Sequence, residues 1–290
     1  MGMTARKAYE EILRNLRENQ VEGAEKTAEL LLSHAFGWDK TRFLLALSDP
    51  NPNVEWGRVA PLLERRKRGE PLQYILGEAP FYKYTFLVTP DVLIPRPETE
   101  LLVEAALRWS EETGKVNEPL RLIDLGVGSG AISLTLLRER PRWEGWGVDR
   151  SEKALEVSRK NAERLGVAER YHPVLADMRE ISGKGFPPFP LLLSNPPYIP
   201  TREIPSLQKE VRDYEPRIAL DGGEDGLLFY RDIFRQLPDL LLPEGVAFFE
   251  VGIHEGKETV RLLQEIPGIK SVELIKDFQG IDRIVIAYRI

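Results

Sequence analysis

The spacing of apolar residues divides the chain into a helical first part and a second part in which strands and helices alternate. In the first 75 residues, apolar side chains recur every three or four positions, as on one face of a helix. Clear examples are Ala8, Ile12, Leu13 and Leu16, followed by Ala24, Ala28, Leu31, Leu32 and Ala35. Helix-breaking residues interrupt the pattern at Gly37, Pro50, Pro52 and Gly69. The pattern predicts four short helices packed as a small bundle, which we assign to a domain of residues 1–77.

A short segment of different composition follows the helical part. Between Phe81 and Leu93 the residues are rich in aromatic and β-branched side chains, and Pro90-Asp91 is a turn signal. This predicts a β-hairpin that links two domains across residues 78–95. After the proline-containing residues 95–100, an apolar run through residues 101–107 predicts a helix with acidic residues near its positive end.

From residue 120 onward, strand-like and helix-like segments alternate. The predicted strands cover residues 120–125, 145–148, 171–175, 190–193, 246–251, 271–275 and 283–288. The predicted helices cover residues 131–137, 152–165 and 255–263. Such alternation favours an α/β domain, here residues 96–290, with a mainly parallel sheet and helices on both faces. A short connection separates the last two strands, so we expect an antiparallel hairpin at the sheet edge.

Composition narrows the chemistry that this fold can carry. The 290 residues include no cysteine, which excludes disulfides, thiolate zinc sites and cysteine nucleophiles. The three histidines lack the spacing of metal ligands, so no metal site is predicted. No apolar run is long enough to span a bilayer, and no apolar signal segment opens the sequence. We therefore expect a cytoplasmic protein with no membrane partner.

The charge of the chain argues against broad nucleic-acid binding. The formal net charge is −6, whereas affinity for phosphates depends on many lysine and arginine contacts. One basic run remains, Arg65-Arg66-Lys67-Arg68. Two interpretations of this run stay open: a solvated helix end, or a contact with an acidic or RNA-associated partner.

A glycine-rich turn after the first strand of the second domain indicates a site for a nucleoside-sized ligand. It reads Asp124-Leu125-Gly126-Val127-Gly128-Ser129-Gly130. Glycines let the backbone pass close to a ligand, and the helix that follows presents unpaired N–H groups. The glycine pattern alone also fits a dinucleotide fingerprint or a purely structural turn. Asp124, two residues before the first glycine, favours S-adenosylmethionine instead.

Two further carboxylates stand where they can complete such a site. Asp149 closes the next strand, 23 residues after Gly126, where a carboxylate can accept hydrogen bonds from both ribose hydroxyls. The alternative for Asp149 is a cap for the helix of residues 151–165. Asp177 follows the third strand and can accept from an adenine amino group, and a role outside the ligand site is equally open.

The strongest signal directly follows the fourth predicted strand and reads Ser194-Asn195-Pro196-Pro197-Tyr198. Ligands of open α/β sheets bind at such strand ends. Two successive prolines remove two backbone donors and stiffen the loop, which leaves its carbonyl groups available as acceptors. The Asn195 side-chain oxygen and the Pro196 carbonyl can accept both hydrogens of one NH₂ group, and Tyr198 can stack on the planar group that carries it.

This arrangement suits methylation of an amide or aromatic amino nitrogen. The lone pair of such a nitrogen is delocalised, so the nitrogen is a poor nucleophile. Acceptors for both N–H groups orient the nitrogen and stabilise the positive charge that develops as it attacks. Holding it about 3–3.5 Å from a sulfonium methyl supplies the required proximity. We therefore expect catalysis by Asn195, Pro196 and Tyr198, and substrate binding by Asn195, Pro196, Pro197 and Tyr198.

Both loops resemble the motifs of class I amino-methyltransferases, and three further motifs narrow the resemblance. These are Pro71-Leu72-Gln73-Tyr74-Ile75-Leu76-Gly77, Leu93-Ile94-Pro95-Arg96-Pro97-Glu98-Thr99-Glu100, and Tyr214-Glu215-Pro216 with Asp225-Gly226-Leu227. Together they are similar to the PrmC/HemK family, the peptide chain release factor glutamine methyltransferases, over essentially the whole chain from residue 71. The resemblance implies a class I methyltransferase fold with a Rossmann-like, mainly parallel seven-stranded sheet, and S-adenosylmethionine as methyl donor. The implied substrate is the glutamine of the Gly-Gly-Gln motif in class I release factors, methylated at its side-chain amide nitrogen.

The resemblance also implies roles for parts of the chain. The N-terminal bundle would help to dock the release factor. Arg96 to Thr99 would form a lid edge beside the methionine moiety, and the alternative for them is a rigid linker. Residues 214–225 belong either to the site or to a packed loop that covers the sheet end. The cofactor contacts expected in total are Thr99, Asp124, Gly126, Val127, Gly128, Ser129, Gly130, Asp149, Asp177, Met178 and Asn195.

Two positions depart from the family pattern. Val127 stands where the family usually has threonine or another small polar residue, which removes a side-chain contact but keeps the backbone cradle. Lys83 replaces the glycine expected after Phe81-Tyr82, which leaves the turn geometry of the predicted hairpin open.

Other functions fit the sequence less well. An adenine NH₂ group is equally planar, so the alternative is an adenine-amino methyltransferase acting on DNA or RNA. Such an enzyme captures an unstacked base and normally carries a basic groove, which the acidic balance argues against. A scaffold that merely binds the cofactor would not need residues 195–198, and a dehydrogenase would need an acid or base for hydride transfer. We expect no direct nucleic-acid substrate.

Overall fold

The computed structural model of the protein describes residues 2–51 and 53–290. Met1 and Pro52, the latter a predicted helix breaker, lie outside the described residues. The first helices are α1 (Ala5–Glu18), α2 (Ala24–Phe36), α3 (Lys40–Ser48), α4 (Trp56–Lys67) and α5 (Leu72–Leu76). The later elements are β1 (Glu78–Phe81), β2 (Tyr84–Leu87), α6 (Pro97–Glu112), β3 (Leu120–Leu125), α7 (Ala131–Glu139), β4 (Trp143–Asp149), α8 (Glu152–Arg164), β5 (Tyr171–Leu175), β6 (Phe189–Ser194), α9 (Lys209–Tyr214), α10 (Leu228–Phe234), α11 (Leu237–Leu240), β7 (Leu241–Glu250), α12 (Gly256–Gln264), β8 (Ile269–Lys276) and β9 (Asp282–Arg289).

Two compact units make up the chain. The first contains residues 1–77 together with α9, and the second contains residues 78–208 and 215–290. The predicted division into domains 1–77, 78–95 and 96–290 stays a prediction. The structure groups β1 and β2 with the second unit, because Phe81 and Phe86 are buried in the core of that unit. None of the helices in the described ranges is both long and apolar enough to cross a membrane.

Apolar faces and end caps explain the helices of the first unit. Three residues that define the first predicted helix face are fully buried, namely Ala8, Ile12 and Leu16. Thr4 caps α1, because its hydroxyl accepts the Lys7 N–H at 3.3 Å. The described part of residues 1–77 contains five helices, one more than predicted. Pro71 directly precedes the additional helix α5, and Gly77, with a φ of +76°, ends it.

Most of the basic run at the end of α4 is neutralised by ion pairs inside the first unit. Three of its four side chains form ion pairs: Arg65 with Glu70 at 2.5 Å, Arg66 with Glu210 of α9 at 2.7 Å, and Lys67 with Glu64 at 2.8 Å. Arg66 is also buried, which fits a packing role. These pairs favour an intramolecular role for the run over a contact with an acidic partner.

The predicted hairpin exists, and the turn that joins its strands lies before the predicted turn signal at Pro90-Asp91. The chain turns at Tyr82 and Lys83, between β1 and β2, and again at Pro90-Asp91, where the Val92 N–H donates to the Thr89 carbonyl at 3.1 Å. A two-residue turn needs a residue with positive φ, and Tyr82 supplies a φ of +56° while Glu100 accepts its N–H at 2.9 Å. Lys83 therefore needs no glycine-like conformation, and its ammonium group pairs with Glu139 at 3.1 Å.

A seven-stranded sheet with the order β5-β4-β3-β6-β7-β9-β8 forms the second unit. The first five strands in this order are parallel, β9 runs antiparallel to β7, and β8 pairs antiparallel with β9. Helices α6, α7 and α8 pack in the core on one face, and α10, α11 and α12 pack in the core on the other. The structure confirms the α/β class, the mainly parallel sheet and the edge hairpin.

The strand order reverses at β3. The chain adds β4 and β5 on one side of β3, then returns to add β6 and β7 on the other side. Ligands of open α/β sheets bind at such a reversal, in the crevice at the carboxyl ends of the strands. The loops after β3 and β6 border this crevice, and they are the two loops that the sequence singles out.

Candidate active site

The register of the sheet aligns four residues at the carboxyl ends of neighbouring strands. Val148 of β4 and Ser194 of β6 both pair with Leu125 of β3, and Phe249 of β7 pairs with Ser194. The residues that come next along these four strands are Asp149, Asn195, Gly126 and Glu250. The Ser194 hydroxyl also donates to the Leu125 carbonyl at 2.7 Å, which ties the two central strands together.

A cavity that is open to solvent lies at this edge of the sheet. The predicted site residues that line it are Thr99, Gly126, Val127, Gly128, Ser129, Asp149, Met178, Asn195 and Pro197. Its other walls include Arg96, Pro216 and Phe229. The predicted site residues outside the lining are Asp124, Gly130, Asp177, Pro196 and Tyr198.

The glycine loop follows one wall of the cavity closely. The N–H groups of Gly126 and Val127 donate to the Val148 carbonyl at 2.8 and 2.9 Å, which fixes the loop to β4. Gly126 has a φ of +80°, and a Cβ atom there would lie 2.6 Å from Met178 Cε. Met178 is held in turn, because Gln236 Nε2 donates to its carbonyl at 3.1 Å. A side chain at position 126 would therefore displace Met178 in the cavity wall.

Asp149 joins the glycine loop to the start of α8. Its Oδ2 accepts the Gly128 N–H at 3.0 Å, and its Oδ1 accepts the Ser151 N–H at 2.9 Å. Burial raises the pKa of Asp149, while these backbone hydrogen bonds act in the opposite direction. The cap of α8 is the Ser151 hydroxyl, which accepts the Ala154 N–H at 3.2 Å, so the capping alternative for Asp149 is wrong. A carboxylate has about four acceptor positions, so Asp149 retains capacity for ribose hydroxyls.

Two other predicted carboxylates are engaged away from the cavity lining. Asp124 is fully buried, and its Oδ2 accepts the Ser133 N–H of α7 at 3.2 Å. Burial raises the pKa of Asp124 to about 7. Asp177 pairs with Arg179 at 2.7 Å, and the hydrogen bond from Arg179 lowers the pKa of Asp177. Contact of either residue with the cofactor stays a prediction.

The amide of Asn195 has a defined orientation. Its Nδ2 donates to Thr99 Oγ1 at 3.3 Å, and Thr99 is buried in the first turn of α6. The Oδ1 atom lies on the other side of the same planar amide, where it is available as an acceptor. Pro196 and Pro197 are buried, which keeps the loop stiff. The side chain thus has the polarity that binding of an NH₂ group requires.

A second loop fixes the backbone around Tyr198. The Ile199 N–H donates to the Leu220 carbonyl at 3.0 Å, and the Gly222 N–H donates to the Ile199 carbonyl at 2.8 Å. Gly226 has a φ of +78°, and a Cβ atom there would lie 2.4 Å from the Tyr198 carbonyl oxygen. Residues 220–226 therefore do more than cover the sheet end, because they fix the loop that carries Asn195.

Two buried glutamates support the site, and neither is among the predicted site residues. Glu250 is 1% exposed, and its Oε1 accepts the Tyr198 hydroxyl at 3.3 Å. Glu215 accepts hydrogen bonds from the Arg96 guanidinium at 2.5 Å and from the Ile94 N–H at 3.2 Å, which ties two cavity walls together. The sequence signal for Glu250 is a charged residue that ends an otherwise apolar run, and Glu215 belongs to Tyr214-Glu215-Pro216, one of the segments that resemble the family.

Asn161 of α8 connects the hairpin to the glycine loop. This residue is fully buried, and its Oδ1 accepts the Leu87 N–H at 2.7 Å. Its Nδ2 donates to the carbonyls of Leu87 and Ser129 at 3.0 and 2.8 Å. A polar residue on the buried face of an amphipathic helix is the sequence signal for such a role. Asn161 thereby fixes the end of β2 to the cavity wall.

These features fit S-adenosylmethionine as a ligand. Asp149 offers a carboxylate at the end of β4, and the glycine loop keeps the adjacent wall free of bulky side chains. Ile132, Met178 and Phe229 supply apolar surface against which a flat base can pack. The cavity therefore provides both kinds of surface that a nucleoside with an amino-acid tail requires.

Comparisons with known proteins agree with this reading. Residues 7–77 match the PrmC N-terminal domain, and residues 101–210 match the methyltransferase small domain. The chain is 40% identical to the release factor glutamine methyltransferase of Geobacter sulfurreducens, over 97% of this chain and 95% of that relative. It is 37% identical to the enzyme of the same name from Caulobacter vibrioides, over 100% of this chain and 98% of that relative.

Solved structures share the fold of the second unit. The hMettl16 catalytic domain is similar with a TM-score of 0.53 at 15% identity, over 70% of this chain and 74% of that chain. At this identity the likeness concerns the fold alone. The nearly full-length matches at 37–40% identity show the family and confirm the predicted resemblance. The chain belongs to the release factor glutamine methyltransferase family.

Proposed function

We propose that this chain transfers a methyl group from S-adenosylmethionine to the side-chain amide nitrogen of the glutamine in the Gly-Gly-Gln motif of class I release factors. The observation that carries the proposal is the orientation of Asn195 at the cavity. Its Nδ2 is committed to Thr99 Oγ1, which leaves Oδ1 as an acceptor beside the glycine loop. An acceptor in this place recognises a group that carries a hydrogen, such as N–H, and does not recognise a carbonyl oxygen.

The cofactor supplies a methyl group on a sulfonium, which is already activated for displacement. We assign its binding to the glycine loop, Asp149, Met178 and Thr99, with the supporting positions Asp124 and Asp177. These residues hold the donor in place, and the chemistry of the acceptor falls to residues 195–198.

The substrate amide is the weaker reaction partner, because its lone pair is delocalised into the carbonyl. Asn195 Oδ1 and the Pro196 carbonyl accept its two N–H groups, and the Tyr198 ring stacks on its plane. Both N–H groups become stronger donors as positive charge develops on nitrogen, so the two acceptors stabilise the transition state more than the ground state. The methylated nitrogen then loses one of its two protons and becomes a neutral secondary amide.

The adenine-amino alternative is not favoured. Two relatives that match this chain over almost their whole length are named as glutamine methyltransferases. The first unit matches a domain named after the same family, so we further propose that it helps to dock the release factor.

Transfer of label from S-adenosylmethionine tests the proposal. The protein is incubated with labelled cofactor and either an intact class I release factor or the same factor with Gln→Ala in its Gly-Gly-Gln motif. We expect label on the intact factor and none on the variant. Equal labelling of both factors would contradict the substrate assignment. Labelling of a DNA or RNA oligonucleotide instead would support an adenine-amino methyltransferase.

A further inference from the structure

The carboxyl group of Glu250 is unusual among the groups around the site. It lies at the end of β7, next to Asn195 across the sheet, in a strand whose neighbouring residues Phe248 and Phe249 are fully buried. Burying a carboxyl group costs free energy unless hydrogen bonds compensate. In the described part of the chain, Glu250 Oε2 has no hydrogen-bond partner. An apolar residue would pack there at lower cost, so the carboxyl group calls for a functional explanation.

Two hydroxyl groups lie near Glu250, that of Tyr198 and that of Thr99, the partner of Asn195. The Tyr198 hydroxyl donates to Glu250 Oε1 at 3.3 Å. Burial raises the pKa of Glu250 to about 7, while hydrogen bonds from Thr99 and Tyr198 act in the opposite direction. Thr99 in turn accepts the Asn195 amide at 3.3 Å. Thr99 therefore lies between the carboxyl group and the amide of Asn195, with a hydrogen bond to Asn195 and with its own hydroxyl hydrogen still available.

The direction of the hydrogen bonds at Thr99 matters for recognition of the substrate amide. A hydroxyl has one hydrogen. Because the Thr99 oxygen accepts from Asn195 Nδ2, that hydrogen is available for donation to a nearby carboxylate. Without a carboxylate, the Thr99 hydroxyl can donate to Asn195 Oδ1 instead. The Asn195 amide would then rotate and present its own NH₂ group to the substrate NH₂ group, where two donors oppose each other.

We propose that Glu250 is a positioning residue for methyl transfer, which orients Asn195 through Thr99 and fixes the ring of Tyr198 through its hydroxyl. The inference rests on the proposed function and deepens it. Glu250 does not line the cavity, so it acts through these neighbours and not by direct contact with the substrate. Its backbone is fixed as well, because the Tyr230 hydroxyl donates to the Glu250 carbonyl at 2.6 Å.

Glu250→Gln tests the proposal, because it removes the charge and keeps the shape. We expect kcat for release factor methylation to fall roughly 10- to 100-fold, the effect of losing charge-assisted hydrogen bonds. The cofactor Kd, measured by calorimetry, should change by less than about threefold, because the substitution lies beside residues 195–198 and not beside the glycine loop. The matched control is Glu255→Gln, a buried carboxyl five residues onward that accepts the His254 N–H, and its kcat should stay within about twofold.

A double variant separates positioning from general packing. Thr99→Val removes the hydroxyl that relays the orientation, so adding Glu250→Gln to it should lower kcat by less than about threefold more. Fully multiplicative losses, accompanied by a fall in Tm, would show a structural role and overturn the proposal. Should Glu250→Gln fail to fold, Thr99→Val and Tyr198→Phe test the two links singly, and unchanged kcat in both would overturn it.

The pH dependence gives a third readout. The charged and titratable groups around Glu250 are Glu98 of α6, Arg283 of β9, and the hydroxyls of Tyr198 and Tyr230. We expect the wild-type kcat to rise with pH through about 7 as the carboxylate forms, and this rise to be absent in Glu250→Gln. Wild-type protein that methylates no release factor would refute the proposed function. Wild-type activity with an unaffected Glu250→Gln variant would refute the positioning role alone.

Discussion

Two buried carboxyl groups lie on opposite sides of the reversal in strand order, and they support the site in different ways. Asp124 of β3 lies on the side of the glycine loop, and Glu250 of β7 lies on the side of residues 195–198. Both are fully buried, and burial raises the pKa of each to about 7. Each has one oxygen atom without a hydrogen-bond partner within residues 2–51 and 53–290.

The partners of the two groups differ. Asp124 accepts a backbone N–H, that of Ser133, whereas Glu250 accepts the side-chain hydroxyl of Tyr198. A backbone N–H is present whatever residue stands at position 133, so the hydrogen bond to Asp124 does not depend on the identity of its partner. The amide side depends on the identities of particular side chains. The comparison indicates that Asp124 supports the glycine side through the backbone of α7, whereas Glu250 supports the side of residues 195–198 through a side chain.

Asn195→Ala is the strongest test of this comparison and should show the largest effect. The substitution removes the acceptor for the substrate N–H, so we expect kcat to fall about 1000-fold. Cofactor affinity should stay within about tenfold, because the glycine side keeps its own hydrogen bonds. Methyl transfer and calorimetric titration with S-adenosylmethionine measure the two quantities. An equal loss of cofactor affinity would mean that Asn195 mainly builds the cofactor pocket.

Asp149→Ala should show the reverse pattern on the glycine side. It removes the carboxylate assigned to ribose and releases the N–H groups of Gly128 and Ser151. We expect the cofactor Kd to rise roughly 30-fold, with kcat at saturating cofactor within about threefold of wild type. A thermal melt accompanies the titration to separate loss of binding from loss of folding. A large fall in kcat at saturating cofactor would contradict the division of roles between the glycine loop and residues 195–198.

Gly226→Ala should disturb the amide side through the backbone. Its Cβ atom would lie 2.4 Å from the Tyr198 carbonyl oxygen, so the loop of residues 195–198 must shift. We expect kcat to fall about tenfold with unchanged cofactor affinity, since small displacements at a reacting centre are costly. The matched control is Gly166→Ala, at a similar φ of +68° but with no atom within 4 Å of the new Cβ. The control should lose stability and keep its kcat.

Asp124→Asn should show the smallest effect, in stability and not in catalysis. The folded-state pKa of Asp124 is raised to about 7, above the ordinary value of 3.8, so the folded protein binds this proton more tightly. Its contribution is present below pH 3.8 and is lost as the pH rises through 7. The wild type should therefore lose on the order of 1–3 kcal/mol relative to Asp124→Asn between pH 5 and pH 8. Denaturant unfolding at both pH values measures this, and parallel curves for the two proteins would contradict it.

The local pattern of the sequence was sufficient for most of the second unit. Strands β3 and β5 have the predicted bounds, and helices α7, α8 and α12 have the predicted bounds to within two residues. Apolar runs, turn residues and caps act over a few neighbouring positions, so they can be read without knowledge of the fold. The same holds for the two loops at the reversal, whose chemistry follows from glycines, prolines and an asparagine next to each other in the chain.

What the sequence determined by itself is therefore the order of the sheet strands along the chain, the α/β class and the two loops that border the crevice, whereas helices α10 and α11 were not predicted. The tertiary structure decided where the hairpin turns, that α9 packs with the first unit, and that Asp177 pairs with Arg179 outside the cavity lining. It also decided that Glu250 supports Tyr198, 52 positions earlier in the chain. Such pairs form because the sheet brings strand ends together in one register, and no local pattern along the chain encodes which distant side chains will then share a hydrogen bond.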